Sequence, residues 1–361
     1  MVNLFSDVRT LLLFLVTLTV IIAVHEFGHY ITARLLGMKV LEFAFGFPPR
    51  LLAVRKGGIE YSVNALPVGG FVRILGQEDF AIRQTGEGEP GSFTSKPWWA
   101  QAVVLAAGVF MNVALALVVL TGSFAFGGPV PTGEVRVVEV KPGSPAEEAG
   151  IRAEDLVREV DGQRIADSQE LVRYTRAHRG QILTLVLQRD GQQLPPIQIE
   201  ARRRPPEGEG PLGIVLIDAT APMRGGLPQA LANAWTLTGD ILQQIAALPG
   251  QLLGATDAPA DGAPQIGGPI EILRVTGEVS RFGFAAILRL IGVLSINLAV
   301  LNIIPFPGLD GGRLFFVLVG GIFHKRLSPQ VEAAIHAVGL LLLVGLMILV
   351  TVSDIRRVIG G

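Results

Sequence analysis

Four long apolar stretches constrain the fold of this chain more than any other feature. They cover residues 8–34, 98–126, 282–304 and 333–352, and each has about the 20 mostly apolar residues that a helix needs to cross a bilayer. Half of the chain is hydrophobic and only 17% is charged, whereas soluble domains carry about a quarter charged residues. We therefore predict a multi-spanning α-helical membrane protein with four transmembrane helices.

The segment between the first two spans, residues 40–76, has a different pattern. Its apolar residues alternate over short runs that are interrupted near Pro48-Pro49, Lys56-Gly57-Gly58 and Gly69-Gly70. Alternation with Gly and Pro punctuation is typical of strands joined by turns. We predict a membrane-associated β-hairpin region here, with an ordinary loop packed on the spans as the alternative.

Residues 133–218 are more polar and predict a separate small domain. A strand, a PGSPA turn, a short helix and a strand ending at Asp161-Gly162 follow in the order of a PDZ domain. PDZ grooves take an extended peptide as an added strand and capture its terminal carboxylate. The GPLG loop, with Gly210, Leu212 and Gly213, is the candidate peptide-binding loop. A PDZ fold that acts only as a steric filter is the alternative.

Two further segments separate this domain from the third span. Residues 227–248 repeat apolar side chains at helical spacing, which predicts an amphipathic helix lying at the membrane interface. Residues 249–268 have the composition of a flexible linker.

The first span ends in HEFGH at residues 25–29, the His-Glu-x-x-His pattern of zinc proteases. Residues four apart share a helix face, so His25 and His29 can bind one zinc ion with Glu26 beside them as general base. Ionisable residues in a span are expensive, about 2.5 to 3.5 kcal/mol for Asp, Lys or Arg at a helix centre, which favours a functional reason. The alternative is that these groups mark the helix exit and face water.

Catalytic zinc usually has three protein ligands. The chain has no cysteine, so the third ligand must be His, Asp or Glu. Asp310 is the candidate, because Pro305, Pro307 and the neighbouring glycines of segment 305–314 break the helix and let the chain turn at membrane depth. His324 and His336 are weaker rivals, because neither has a partner at ligand spacing.

These motifs together resemble the site-2 protease family of regulated intramembrane proteolysis, in its bacterial single-PDZ form. The resemblance covers nearly the whole chain, including FTSKPWWAQAVVLAAGVFMN at 93–112, IGGPIEI at 266–272 and NIIPFPGLDGG at 302–312. A valine follows Gly108, where the family often has proline.

The resemblance implies one catalytic Zn²⁺ held by His25, His29 and Asp310, with Glu26 as general base. It also implies that Asn302 helps to hold the substrate or polarise its carbonyl, and that the hairpin region, with Gly69 and Gly70, pairs with the unwound substrate. The implied substrates are transmembrane segments of anti-sigma-factor-like regulators or remnant signal peptides, trimmed beforehand by another protease.

Loop charges predict the orientation, because Lys and Arg favour the cytoplasmic side. They are concentrated between spans one and two and between spans three and four, at Arg34, Lys39, Arg50, Arg55, Lys56, Arg73, Arg313, Lys325 and Arg326. We therefore expect a bacterial inner-membrane protein whose PDZ domain and both termini are extracytoplasmic, with the active site near the cytoplasmic side. Arg356 and Arg357 argue mildly against this orientation.

Other classes of protein fit less well. A net charge of -1 gives no basis for binding nucleic acid. A metal transporter needs polar ligands on several spans along a pathway, whereas the candidate ligands of this chain converge on one site. A non-proteolytic PDZ membrane scaffold is the main alternative, although an intact HEFGH with a matching carboxylate argues against it.

Overall fold

A computed structural model describes residues 8–77, 89–206, 208–252, 268–324 and 328–360. In chain order the elements of these ranges are α1 (Val8–Leu35), β1 (Val40–Lys56), β2 (Ile59–Ile74), α2 (Trp98–Ala125), β3 (Pro129–Val140), α3 (Pro145–Glu148), β4 (Leu156–Val160), β5 (Gln163–Arg164), α4 (Ser168–Ala177), β6 (Ile182–Arg189), β7 (Gln192–Gln193), β8 (Ile197–Glu200), β9 (Ile214–Pro222), α5 (Leu227–Leu252), α6 (Pro269–Ser280), α7 (Phe284–Ile303), α8 (Asp310–Phe323) and α9 (Pro329–Gly360).

The chain divides into two compact units. Unit 1 comprises Met1–Phe126, Gly225–Ile245 and Ile266–Gly361, and unit 2 comprises Gly127–Arg224 and Ala246–Gln265. The predicted linker, 249–268, falls largely on residues 253–267, which lie outside the described residues, as do Lys325 and Arg326.

Among the residues that the structure describes, four helices of unit 1 are long and apolar enough to cross a membrane: Val8–Leu35, Trp98–Ala125, Phe284–Ile303 and Gln330–Arg356. They overlap the four predicted stretches, with different ends. The helix α7 begins after Gly283, whose φ of 88° favours glycine, and stops before Pro305, which cannot continue a helix. The helix α9 begins before the predicted residue 333, at Pro329.

Helix α2 packs against α1, α7 and α8 in the centre of unit 1. A Cβ on Gly28 of α1 would lie 2.5 Å from the carbonyl oxygen of Ala107 in α2, so glycine is required at this crossing. Close approach through small residues is the usual way in which membrane helices associate. On the other side of α2, the hydroxyl of Ser123 donates to the carbonyl of Ala285 in α7 at 2.7 Å.

The region predicted to form hairpins is one long hairpin whose two strands both bend, so that it curls on itself. Its tip is at Gly57-Gly58, which have φ of 61° and 81°, and the strands bend near Pro48 and Gly69. Residues 42–45 face residues 60–63 on one side and 70–73 on the other. The buried carboxylate of Glu42 accepts from Arg50, Ser62 and Arg73 at 3.0, 2.8 and 3.2 Å, which holds the turns of this sheet together.

The hairpin packs on α1 and α2 at its base. The rings of Tyr30 and Phe43 meet edge to face at 5.3 Å between centroids, within a buried cluster that includes Val104. Beyond the base, Leu51 and Leu52 are exposed. The hairpin therefore has a buried base, and its outer half exposes leucines beside charged residues such as Arg55.

Unit 2 is a seven-stranded sheet with two short helices. Its strand order is β7-β6-β4-β3-β9, with β5 beside β4 and β8 beside β6. The predicted boundaries, 133 and 218, are too narrow for this sheet, because Pro129 pairs with Pro222 at the start of β3 and the end of β9. The predicted helix near 168 is α4, whose first turn is capped by the side chain of Asp167.

A buried ion pair stabilises the interior of unit 2. Asp155 is fully buried and accepts from Arg189 at 2.6 and 2.8 Å and from the backbone N–H of Arg152 at 2.8 Å. Burial raises the pKa of this carboxyl, but the hydrogen bonds outweigh burial and hold the pKa below its usual value.

Candidate metal centre

His25 and His29 lie one turn apart on the face of α1 that packs against α2. Both side chains are buried, and their Nε2 atoms are 3.1 Å apart. The four-residue spacing places both rings on one helix face, as the sequence predicts. Nδ1 of His29 lies 2.8 Å from the carbonyl oxygen of Val104, which accepts its proton and leaves Nε2 free to bind a metal.

Asp310 reaches the two histidines as the first residue of α8. The chain leaves α7 at Ile303 and turns through Pro305, Pro307 and Gly308, whose φ is 98°. The N–H of Gly308 donates to Nδ1 of His336 in α9 at 2.9 Å. The turn that presents Asp310 is therefore held by the last apolar helix.

Three ligand atoms converge at this point. Oδ2 of Asp310 is 2.8 Å from Nε2 of His25 and 3.1 Å from Nε2 of His29. Four-coordinate zinc with bonds of about 2.0 to 2.1 Å separates its ligand atoms by roughly 3.3 Å. Two imidazoles and a carboxylate at these separations fit a zinc ion, and the three residues form the one cluster of metal-ligand type in the described part of the chain.

Glu26 is next to the cluster and partly exposed. A Cβ on Gly70 would lie 3.7 Å from Cγ of Glu26, so the second strand of the hairpin passes directly beside this carboxylate. Gly69 has a φ of 106° and lies against the ring of Phe47. Of the two glycines predicted to bind substrate, Gly70 therefore lies beside Glu26, and Gly69 precedes it in the same strand.

The other candidate residues of unit 1 are not part of this cluster. Asn302 is half-buried in the last turn of α7, and no hydrogen bond joins it to the three ligand residues within the described ranges. His324 is exposed at the end of α8, and His336 contacts the Gly308 turn instead of the cluster. Neither histidine is brought to the metal site.

The candidate peptide-binding loop of unit 2 is a tight turn before β9. The N–H of Gly213 donates to the carbonyl of Gly210 at 3.1 Å, and the carbonyl of Gly213 accepts from Lys141 at 2.9 Å. The side chain of Leu212 is buried in the core of unit 2, so only its backbone is available to a peptide.

Sequence reasoning missed the residues of α2 that surround the cluster. A Cβ on Gly108 would lie 2.5 Å from Nε2 of His29 and 2.6 Å from Cε1 of His25, so glycine leaves the space that the two rings occupy. Asn112, one helical turn further along, is fully buried and lies against His25. A glycine and an asparagine one turn apart in an otherwise apolar span are the signal that could have found them.

Two buried histidines and a partly buried aspartate, with a second carboxylate beside them and apolar helices of spanning length around them, define the class of membrane-embedded zinc hydrolases. Comparison with known proteins is consistent with this class. Residues 13–346 match Peptidase family M50. The chain therefore belongs to peptidase family M50, the site-2 protease family, which confirms the resemblance found in the sequence.

Relatives match over almost their whole length. A Clostridium perfringens protein provisionally named a zinc metalloprotease is 33% identical, over 94% of this chain and 97% of its own. Zinc metalloprotease RasP of Oceanobacillus iheyensis is 27% identical, over 96% and 99%. A solved PDZ domain of an SdrC-like protein from Listeria monocytogenes is 26% identical over 24% of this chain and 90% of that chain, with a TM-score of 0.22. The chain is an intramembrane zinc metalloprotease with four long apolar helices, and it acts on membrane-protein substrates in the bilayer.

Proposed function

We propose that His25, His29 and Asp310 hold the catalytic zinc and that Glu26 is the general base for hydrolysis of peptide bonds within or near transmembrane segments. The convergence of three ligand atoms 2.8 to 3.1 Å apart supports this most strongly, because Asp310 is 281 residues from His29 and 285 residues from His25 in sequence. A non-proteolytic scaffold would have no need of Glu26 beside them.

When bound, zinc polarises the scissile carbonyl and lowers the pKa of water. The two buried histidines and the partly exposed Asp310 fix the position of the reaction. Glu26 accepts the proton of the attacking water as the C–O bond forms, and gives it to the amide nitrogen as the C–N bond breaks. Each cleavage therefore returns Glu26 to its carboxylate form.

The substrate must unwind before it can react, because a helix uses its backbone amides in its own hydrogen bonds. The released strand then needs new partners at membrane depth. We assign this role to the segment at Gly69 and Gly70, which lies beside Glu26, and to the amide of Asn302. Addition of a strand to a sheet edge is an established mode of peptide recognition.

Unit 2 is, in this proposal, a PDZ domain that acts on substrates already trimmed by another protease. The order of its elements and the tight turn at Gly210, Leu212 and Gly213 support this role. Backbone groups of the turn are the candidates for holding a new C-terminal carboxylate. If the domain is instead a steric filter, peptides with new C-termini will not bind to it. A variant that lacks the domain will then cleave untrimmed substrates.

We further propose that the protein lies in the bacterial cytoplasmic membrane with unit 2 and both termini outside. The positive charges of the loop between α1 and α2 support this orientation. The substrates are anti-sigma-factor-like regulators or remnant signal peptides. Labelling of cysteines introduced into unit 2, in intact cells, tests the orientation directly.

The central experiment is Glu26→Gln in the full-length protein. The amide cannot accept the proton, so cleavage of a transmembrane peptide should fall by about 100-fold or more. Zinc content should be unchanged, because glutamine keeps the size of the side chain and all three ligands remain. His25→Ala, as the comparison, should lose both zinc and cleavage. Full activity in Glu26→Gln would overturn the assignment.

A further inference from the structure

Asn112 is a polar residue in the middle of the apolar helix α2, and it is fully buried. Its side-chain amide nitrogen lies 3.2 Å from Nδ1 of His25. Its backbone carbonyl accepts from the hydroxyl of Ser295 in α7 at 2.9 Å. A polar line thus crosses α1, α2 and α7 at the level of the metal cluster.

The amide oxygen of Asn112 is the unusual atom in this line. Oδ1 is buried, and it has no hydrogen-bond partner among the described residues. An unpaired buried polar atom costs about 1 to 3 kcal/mol, so native proteins rarely retain one without a reason. Packing alone therefore does not explain an asparagine at position 112, because an apolar side chain would fill the same space without this cost.

Metal binding by the two histidines places a demand on their second ring nitrogens. A neutral imidazole that binds metal through Nε2 carries its proton on Nδ1, and that proton needs an acceptor. His29 has the carbonyl of Val104 at 2.8 Å. The partner of Nδ1 of His25 among the described residues is the amide of Asn112.

The acceptor in that amide is Oδ1. The two ends of an Asn amide have almost the same shape, and their assignment follows from the hydrogen bonds around them. A half-turn of the amide brings Oδ1 to the position beside Nδ1 that the nitrogen occupies. The same rotation gives the oxygen a donor and the His25 proton an acceptor, and it moves the amide nitrogen to the position that the oxygen held.

We propose that Asn112 is a positioning residue for the metal centre: its Oδ1 accepts the Nδ1 proton of His25 and so fixes the tautomer and ring orientation in which Nε2 faces zinc. This rests on the proposed metal site. The two histidines are then held differently, since a main-chain carbonyl orients His29 and a replaceable side chain orients His25.

The hydrogen bond from Ser295 to the main chain of Asn112 makes it possible to test the contact with His25 separately from packing. Ser295 binds the main chain of Asn112, so that contact is available to any residue at position 112. Changes confined to the side chain of Asn112 therefore test the contact with His25. Ser295→Ala is the matched control, because it removes the neighbouring hydrogen bond in the same line and leaves the amide in place.

The test measures zinc affinity of the full-length protein in detergent by competition with a chromophoric chelator. Asn112→Leu has a similar size and no acceptor, and it should weaken zinc binding by about 10- to 100-fold. Asn112→Asp keeps an acceptor in the arrangement of carboxylate–histidine–zinc triads and should bind zinc as tightly as the parent. Ser295→Ala should also retain parental affinity.

Two further measurements distinguish the outcomes. Unfolding in excess chelator should be the same for Asn112→Leu and the parent, so that a loss of affinity is not a loss of fold. Parental affinity in Asn112→Leu, or an equal loss in Asn112→Asp and Asn112→Leu, would overturn the inference. If His25→Ala and Asp310→Ala also keep their zinc, the proposed metal site itself is wrong.

Discussion

At the scale of single residues, the candidate metal centre depends on two glycines as much as on the residues proposed to bind metal. The imidazoles of His25 and His29 occupy space that only glycine at position 108 leaves open. Gly28 allows the backbone of α1 to approach Ala107 closely enough for this contact. Two glycines therefore set the positions of the histidine rings, although glycine has no side chain that could bind metal.

Gly108→Ala tests this dependence. Its Cβ would lie 2.5 Å from Nε2 of His29, so a ligand ring must move and zinc affinity should fall by on the order of 100-fold. Gly122→Ala in the same helix is the control, because its nearest neighbour is a movable methyl of Leu288 at 3.3 Å. Chelator competition measures both, and equal affinities would show that the rings have room to adjust.

At the scale of elements, helix α9 supports the turn that presents Asp310. His336 accepts from the N–H of Gly308, and Gly339 lies against the main chain of Pro307. Because Pro305 and Pro307 interrupt the helix, the turn depends on tertiary contacts for its position. The last apolar helix thus has a structural role in the metal centre without supplying a ligand.

Gly339→Ala should therefore disturb Asp310 from a distance. A Cβ there would lie 2.5 Å from the carbonyl carbon of Pro307, and backbone cannot yield as a side-chain end can. We expect about 10-fold weaker zinc binding, with cleavage reduced in parallel. Gly345→Ala, in the same helix with open space around its Cβ, should leave both unchanged. Identical behaviour of the two variants would contradict the assigned role of α9.

At the scale of the whole molecule, the proposed metal site joins helices that are far apart in the sequence within unit 1. The proposed ligands come from α1 and α8, and α2 lies against both. Unit 2 has its own core and its own buried ion pair. The two units should respond differently to loss of the metal.

Zinc chelation should consequently destabilise unit 1 and leave unit 2 unchanged. A ligand at 100 times its dissociation constant stabilises the folded state by about 2.7 kcal/mol, which chelation removes. Hydrogen exchange followed by mass spectrometry should show faster exchange in α1 and α8, with the strands of unit 2 as internal reference. If hydrogen exchange became faster by the same factor in both units, zinc would not be bound between α1 and α8.

Much of this protein is encoded locally and can be predicted from the sequence. Apolar length determines the four long helices, the spacing of His25 and His29 places them on one helix face, and prolines 305 and 307 stop a helix before Asp310. These follow from hydropathy, helical periodicity and backbone chemistry, which act over a few residues. The strand pairing that extended unit 2 to Pro129 and Pro222 is not local and was missed.

Tertiary structure decided how the parts of the centre are held. Three features depend on how the helices cross. Gly108 leaves room for two imidazoles, Val104 and Asn112 contact the second nitrogens of these rings, and His336 anchors the turn before Asp310. Helix crossing is set by packing between residues far apart in sequence, and the local pattern marks Gly108 and Asn112 without saying which residues they contact. The sequence by itself predicted the types of the proposed ligands and their class of chemistry, and packing determined the geometry in which those residues meet.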